Sequence, residues 1–352
     1  MQRFTERNMK LLFVVHRYYP FPGGSENYVR WMAEGMKNRG HDVTVLTGEH
    51  KGDQNGVRVT SHNAILTEEK FDLIIVHGAD VYVQNYVLAN AKSWPSPVLY
   101  MIILPSDSRA AQLGMQNAKY LAWSTEEDIQ HIFKNGYHDK AVNVRHGIPY
   151  NFNYLAKNTG EKYKLFEKYR IDPSKKLFLS CGGYWPNKKM KELAEVFLAA
   201  NVPNTVLVTT GYGGYQDLMP NPVEGKVYPV VAEQHEEVNV WMTNADLYIM
   251  HSEREGFGLV LLEAMQRFTP WAARHMAGAA KLVNANGPLS KPLGFTYGND
   301  QQLIDYMRNF STQNTSEQVA WAHRYLLENH MITHTCDDIE AILEKEKNSN
   351  VG

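Results

Sequence analysis

The sequence predicts an α/β protein of two doubly wound, mostly parallel domains in tandem. Three observations carry that expectation. Apolar runs of strand length without helical period recur along the chain, as buried parallel strands require. They alternate with segments of helical period, and polar or glycine-containing turns lie between them. At 352 residues the chain exceeds one ordinary core and suits two domains of about 150 residues each.

The elements follow in order. LLFVV (11–15) reads as the first strand, and the loop HRYYPFPGGSE leads to a helix over 27–39. Tyr28, Trp31, Met32 and Met36 share one side of that helix, with Ser25 as candidate cap and Gly40 as its stop. DVTVLT (42–47) is the next strand, so the chain opens as strand, loop, helix, strand. Strands are expected at 71–77, 97–104 and 118–124, with helices over 79–92 and from Thr125, and 142–149 closes the first unit. Glu126, Glu127 and Asp128 in that last helix's first turn complement its dipole. Residues 151–175 are polar, carry a short helical stretch around 161–169, and are expected to connect a first domain, 1–150, to a second, 176–330. The second series places strands at 177–183, 205–211, 226–231, 246–252 and 270–274, and helices at 191–200, 236–243 and 259–267. From Gln301 the chain reads as helical, and 331–352 forms a terminal helical segment expected to pack back on the first domain. Tandem domains of this kind bind ligands at the carboxyl ends of their sheets, in an expected cleft between the two.

Composition excludes several classes. A net charge of −2 with 43% hydrophobic and 21% charged residues describes a globular chain with no electrostatic case for nucleic acid or an anionic membrane. Cys181 and Cys336 form no C-x-x-C pair, so neither zinc nor a disulfide framework is indicated, and Cys181 is expected to be buried. No run reaches the roughly 20 apolar residues of a membrane span, and no signal-peptide core is present. A cytoplasmic setting is the default expectation.

Three stretches carry chemistry. In PFPGGSE, Gly23 and Gly24 allow close backbone approach before a helix start that suits an anion, although a plain turn is an equal reading. GGYWPNKKMKEL places Lys188 and Lys189 at a strand-to-helix turn, where lysine can neutralise a diphosphate; solvated surface charge is the commoner fate. HSEREGFGLVLLEAM (251–265) is the most informative. Its helix start points free amides outward between Gly256 and Leu259, with Glu255 before the start and Glu263 little more than one turn inside it. Carboxylates grip sugar hydroxyls because they accept several hydrogen bonds.

That last stretch resembles the E-x7-E motif of retaining GT-B-fold glycosyltransferases, most closely glycosyltransferase family four (glycosyl transferases group 1). The resemblance runs in order along most of the chain. YYPFPGGSENYVRWMAEGMKNRGHDVTVLT resembles the family's opening unit, and GGYWPNKKMKEL resembles GRLxPEKGxxxL, aligning Lys188 with a diphosphate-binding lysine. There are departures. Gly183 stands where the family has arginine, Phe268 where it has glycine, and Lys281 where it has an acid. MIILPSD lacks a histidine that many relatives carry, with His77 the nearest substitute.

The resemblance implies two Rossmann-like domains facing each other across a cleft, acceptor side first and donor side second. It implies no cofactor and no metal, but a nucleotide-sugar donor, with UDP-sugar favoured over GDP- or ADP-sugar. Glu263 would hold ribose hydroxyls and Glu255 the transferred sugar. Gly256 would let the backbone approach, and the amides of Phe257, Gly258 and Leu259 with Lys188 would hold the diphosphate. Gly23, Gly24 and Gly183 would border the donor, and Glu255, Lys188 and His77 would be the catalytic candidates. The acceptor is left open between a glycan, a lipid-linked sugar, a small molecule and a modified DNA base, as are peripheral membrane association and oligomeric state. Two rival readings stand beside this one: a nucleotide-sugar epimerase or hydrolase on the same fold, and a donor-binding protein that has lost activity.

Overall fold

The computed structural model describes residues 8–21, 23–49, 52–79, 81–154, 157, 159–211, 214–231, 235–284, 292–310 and 313–349. The chain divides into two compact units, one formed by 1–149 together with 330–352 and the other by 150–329.

The first unit carries β1 (Lys10–Val15), α1 (Gly24–Asn38), β2 (Asp42–Thr47), β3 (Arg58–Thr60), α2 (Ile65–Glu68) and β4 (Leu73–His77). It continues through α3 (Tyr82–Ala89), β5 (Val98–Met101), α4 (Arg109–Asn117), β6 (Tyr120–Trp123), α5 (Glu126–Lys134) and β7 (Ala141–Asn143). All seven strands are parallel, in the order β3-β2-β1-β4-β5-β6-β7. Strand order reverses between β1 and β4, which is where open α/β sheets leave room for a ligand at their carboxyl edge. Leu12, Val14, Ile74, Val76 and Leu121 supply one layer of core against Val87, Leu88, Met115 and Ile132. Fully buried strands need no polar alternation, so these runs read as continuous apolar sequence. The start of α5 is fixed by a reciprocal cap: Asp128 N–H donates to Thr125 Oγ1 at 3.2 Å, and Thr125 N–H donates to Asp128 Oδ2 at 2.9 Å.

The second unit carries α6 (Thr159–Lys168), β8 (Lys176–Cys181), α7 (Met190–Ala200), β9 (Thr205–Gly211), β10 (Val227–Val231), α8 (His235–Asn244) and β11 (Leu247–Met250). After these come α9 (Leu259–Gln266), β12 (Trp271–Arg274), α10 (Ala277–Asn284), β13 (Phe295–Tyr297), α11 (Asp300–Asn309) and α12 (Ser316–Asn329). Its six parallel strands run β10-β9-β8-β11-β12-β13, with the reversal between β8 and β11. Phe178, Leu207, Leu247, Ile249 and Ala272 pack against Leu193, Phe197, Leu303 and Met307.

Several expectations change. The 151–175 connection, which carries its expected short helix as α6, belongs to the second unit: α6 packs on α8, with Phe166 fully buried and its ring 6.0 Å from Trp241. The expected strand over 97–104 ends at Met101, and α4, α10, β3 and β13 appear where no element was expected. Cys181, expected to be fully buried, is half-buried where it ends β8 at the carboxyl edge of the sheet.

The final helix, α13 (Ile332–Ser349), belongs to the first unit. It packs on α1, where a Cβ on Gly35 would lie 2.8 Å from Cys336 Sγ; glycine lets the two helices approach that closely. Charge pairs hold it. Arg145 forks onto Asp338 through Nη2 at 2.6 Å and Nε at 2.9 Å, while Arg39 reaches Asp337 at 2.8 Å and Glu340 at 2.6 Å. Lys119 and the Tyr120 hydroxyl both bind Glu346, which is buried.

Candidate functional site

In the second unit the reversal of strand order sets the β8–α7 loop beside the β11–α9 loop. Two backbone-directed hydrogen bonds strap them together. Glu253 N–H donates to Asn187 O at 2.7 Å, and Asn187 Nδ2 donates to Arg254 O at 3.1 Å. Beside these, Lys188 Nζ forms a close ion pair with Glu255 Oε1. Both side chains are largely buried, 23% and 16% exposed, so this pair is screened less than a surface one. Lys189 pairs with Glu253 at 3.3 Å and Glu192 at 3.4 Å.

Glycines permit this arrangement at two points. Gly182 has φ 149°, and a Cβ there would meet the Lys188 stem at 3.6 Å, so the lysine lies across it. Gly258 precedes α9 in left-handed backbone at φ 81°, and a Cβ there would sit 2.9 Å from Met250 Cε. No side chain caps the start of α9. Gly183 lies in the turn after β8, its carbonyl accepting from Trp185 N–H at 2.9 Å. Gly256 sits between Glu255 and the buried Phe257, and Leu259 is the first residue of α9.

Glu263 is half-buried one turn inside α9, and its carboxylate makes no hydrogen bond or ion pair among the described residues. Burial and the nearby Glu263 carboxylate push the Cys181 thiol up to about 12, so it stays protonated. The structure therefore brings Lys188, Glu255, Gly258 and Glu263 to one edge of one sheet. Lys281, the departure from the expected acid, sits on α10 with Nζ 5.8 Å from the Phe257 ring centre.

The other candidates lie in the first unit. His77 ends β4 and is 3% exposed. Its ring lies 5.4 Å from that of Tyr28, its carbonyl accepts from Gln84 Nε2 at 2.7 Å, and Nδ1 has no partner among the described residues. Burial pushes it down to about 4, so it is a neutral, enclosed imidazole. That geometry suits packing and offers no acid–base group at a surface. Gly23 and Gly24 open α1, yet the Glu26 carboxylate folds back over Gly23, with Oε2 2.0 Å from where a Cβ would stand. Glu26 also faces Arg17 at 3.5 Å, and burial raises its carboxyl above the usual range. An internal carboxylate thus occupies the α1 start expected to receive an anion.

Sequence reasoning passed over a second layer beneath the loop. His251 is fully buried, with Nδ1 2.8 Å from Tyr297 Oη and Nε2 2.9 Å from Arg274 Nη2. The available signal was a histidine placed between an apolar strand and a glutamate–glycine loop. Among the described residues no group of three or more His, Cys, Asp or Glu is placed to hold a metal ion, and no helix is long and apolar enough to cross a membrane.

With this geometry in hand, comparison with known proteins shows what the chain resembles. Residues 161–325 match the family described as glycosyl transferases group 1. An uncharacterized glycosyltransferase of Methanocaldococcus jannaschii is 24% identical, the alignment covering 89% of this chain and 95% of that one. Among solved structures, HepE of Anabaena, in complex with UDP and glucose, is 18% identical with a TM-score of 0.75 over 96% of this chain and all of that one. Sucrose-phosphate synthase of Thermosynechococcus elongatus is 13% identical with a TM-score of 0.76 over 97% of this chain and 100% of that chain. The solved structures share the fold of this chain, and the matched segment is similar to group 1 glycosyl transferases.

Proposed function

We propose that the chain transfers a glycosyl group from a nucleoside diphosphate sugar to an acceptor hydroxyl with retention of configuration and without a metal ion, as family-four enzymes do. The observation that supports it most is the Lys188–Glu255 pair set beside the uncapped start of α9. In this reading Lys188 and the amides of Phe257, Gly258 and Leu259 hold the diphosphate. Negative charge on that group grows as the bond from C1 to its oxygen breaks, so donors fixed there beforehand stabilise the transition state more than the ground state. The acceptor oxygen forms the new bond to C1, and its proton passes to the departing diphosphate oxygen.

Glu263, whose carboxylate is uncommitted, accepts hydrogen bonds from the ribose hydroxyls. Glu255 has a second oxygen beyond the one facing Lys188 and takes a hydroxyl of the transferred sugar. A UDP-sugar is the first donor to try, since HepE of Anabaena was crystallised with UDP-glucose. Gly183 supplies no charge where the resembled family has arginine, so Lys188 carries more of the diphosphate charge here.

A screen of UDP-, GDP- and ADP-sugars by thermal shift, followed by transfer assays in EDTA, tests the reading. Donor binding raises the unfolding temperature with ligand concentration. Turnover that persists in excess EDTA is expected, and abolition by chelation would overturn metal independence.

A further inference from the structure

Beneath the β11–α9 loop, the ends of three neighbouring strands are tied by one buried polar group. His251 follows the last residue of β11, Arg274 ends β12 and Tyr297 ends β13. Arg274 Nη2 has two hydrogens; one goes to His251 Nε2 at 2.9 Å and the other to Asp300 Oδ1 at 2.8 Å. Because arginine only donates, Nε2 is the accepting nitrogen, which places the imidazole proton on Nδ1 toward Tyr297 Oη at 2.8 Å. The Tyr297 hydroxyl then donates onward to Met250 O at 3.4 Å. One assignment of protons thus satisfies these four hydrogen bonds, while Arg274 Nε has no partner among the described residues. Burial and the Arg274 guanidinium push His251 down to about 3, so its 3.7 Å approach to Asp300 is no ion pair.

The group touches both ends of the loop. His251 is the residue from which Ser252–Gly258 departs. Met250, whose carbonyl accepts the hydrogen bond from the Tyr297 hydroxyl, puts its methyl group 2.9 Å from where a Cβ on Gly258 would stand. From above, the loop is held by Asn187 and Lys188. A loop gripped at its root, its middle and its end keeps a carboxylate in place, whereas one loose at the root moves as a flap.

We propose that His251, held between Tyr297 and Arg274, is a positioning residue for the loop that presents Glu255 and the α9 start to the donor. The proposal deepens the glycosyltransferase reading and rests on it for the identity of the ligand. The loop's order does not depend on that reading.

The experiment compares wild-type full chain with His251→Ala, His251→Gln and Tyr297→Phe. It uses hydrogen–deuterium exchange of peptides over 250–262 and titration with UDP. In His251→Ala, exchange over 252–258 should rise about tenfold, the loss of a buried hydrogen bond, while peptides of β8 and β9 keep their rates. UDP affinity should fall by about as much. His251→Gln can still accept from Arg274 and should recover most of both, and Tyr297→Phe should lie between. Folded His251→Ala with wild-type exchange over 252–258 overturns the proposal, as does a uniform rise across the second unit, which marks simple destabilisation. If His251→Ala does not fold, Tyr297→Phe decides on the same readout, because it removes one hydroxyl and keeps the ring. Should wild type fail to bind UDP or any nucleotide sugar, the donor reading fails while exchange still decides the positioning.

Discussion

Each unit sets a strand, a glycine-bearing loop and a helix start beside its reversal of strand order, α1 after β1 and α9 after β11, and the two stand in different electrical surroundings. At α1 the Glu26 carboxylate lies folded over Gly23, so the helix's positive end faces a charge from its own first turn. At α9 the nearby charges are Lys188 and Glu255 from two different loops. The strand ends below differ in parallel. His77 in the first unit leaves Nδ1 unpartnered against Tyr28, whereas His251 in the second has both nitrogens engaged. A glycine loop therefore marks where a helix start can meet a ligand, and the surrounding charges decide whether it is available. A histidine at a strand end is likewise defined by its neighbours.

The largest test of that contrast falls on the open start. Lys188→Ala should lower kcat by about 10²–10³-fold, the scale for removing one preorganised donor from a developing anion. Initial rates with the preferred sugar nucleotide measure it, and wild-type turnover would remove the donor-site assignment.

The next test concerns the unpartnered histidine. The folded-state value of His77, about 4, lies below the ordinary value near 6.5. Its burial thus contributes stability above pH about 6.5 that is lost as pH falls toward 4, to the extent of about 3 kcal/mol. His77→Phe keeps a ring beside Tyr28 and has no proton to gain. Urea unfolding at pH 7 and pH 4.5 should show a smaller acid loss in the variant, and an equal loss would place the sensitivity elsewhere.

Glu263→Gln sharpens the comparison at smaller scale. It keeps the shape of an uncommitted carboxylate and removes its charge, so UDP should bind roughly tenfold more weakly by calorimetry, about 1.4 kcal/mol. An unchanged affinity would move the ribose contact to another residue.

The smallest effect belongs to Phe268. It stands in left-handed backbone at φ 53°, where the resembled family has glycine, and its ring stacks on His323 at 4.0 Å and 16°. Left-handed backbone costs a non-glycine residue about 1–2 kcal/mol, and an aromatic stack returns about 0.5–1.5 kcal/mol. Phe268→Gly should therefore change stability by less than about 1 kcal/mol, read from the urea midpoint. Lys189 shows the same pattern, with φ 52° at another family glycine and two carboxylates around its ammonium.

These positions show what sequence could carry. The strands were legible because burial on both faces writes itself as apolar runs such as LLFVV and TVLVTTG, and the α5 cap was legible in Ser-Thr-Glu-Glu-Asp. β3 and β13 have three residues each, too few for any period to show, and α10 begins in a small-residue stretch with no cap signal. The candidate site was half readable. Glu255, Gly258 and Glu263 sit on one local motif, but the pairing of Lys188 with Glu255 arises from the neighbouring of β8 and β11, which the linear order does not state. Glu26 was visible as a first-turn acid; that its carboxylate would fold over Gly23 was not. His251 was hidden because its meaning depends on Arg274 and Tyr297, which later strands deliver.

The docking of α13 on α1 has a consequence in time. A ribosome makes α1 early and α13 only after the whole of the second unit, a delay of roughly fifteen to sixty seconds at about 5–20 residues per second. Over that interval Gly35 faces no Cys336, and Arg39 and Arg145 have no Asp337, Asp338 or Glu340 to meet. The nascent first unit thus has all seven strands of its sheet made while α1 still lacks the helix that packs on it.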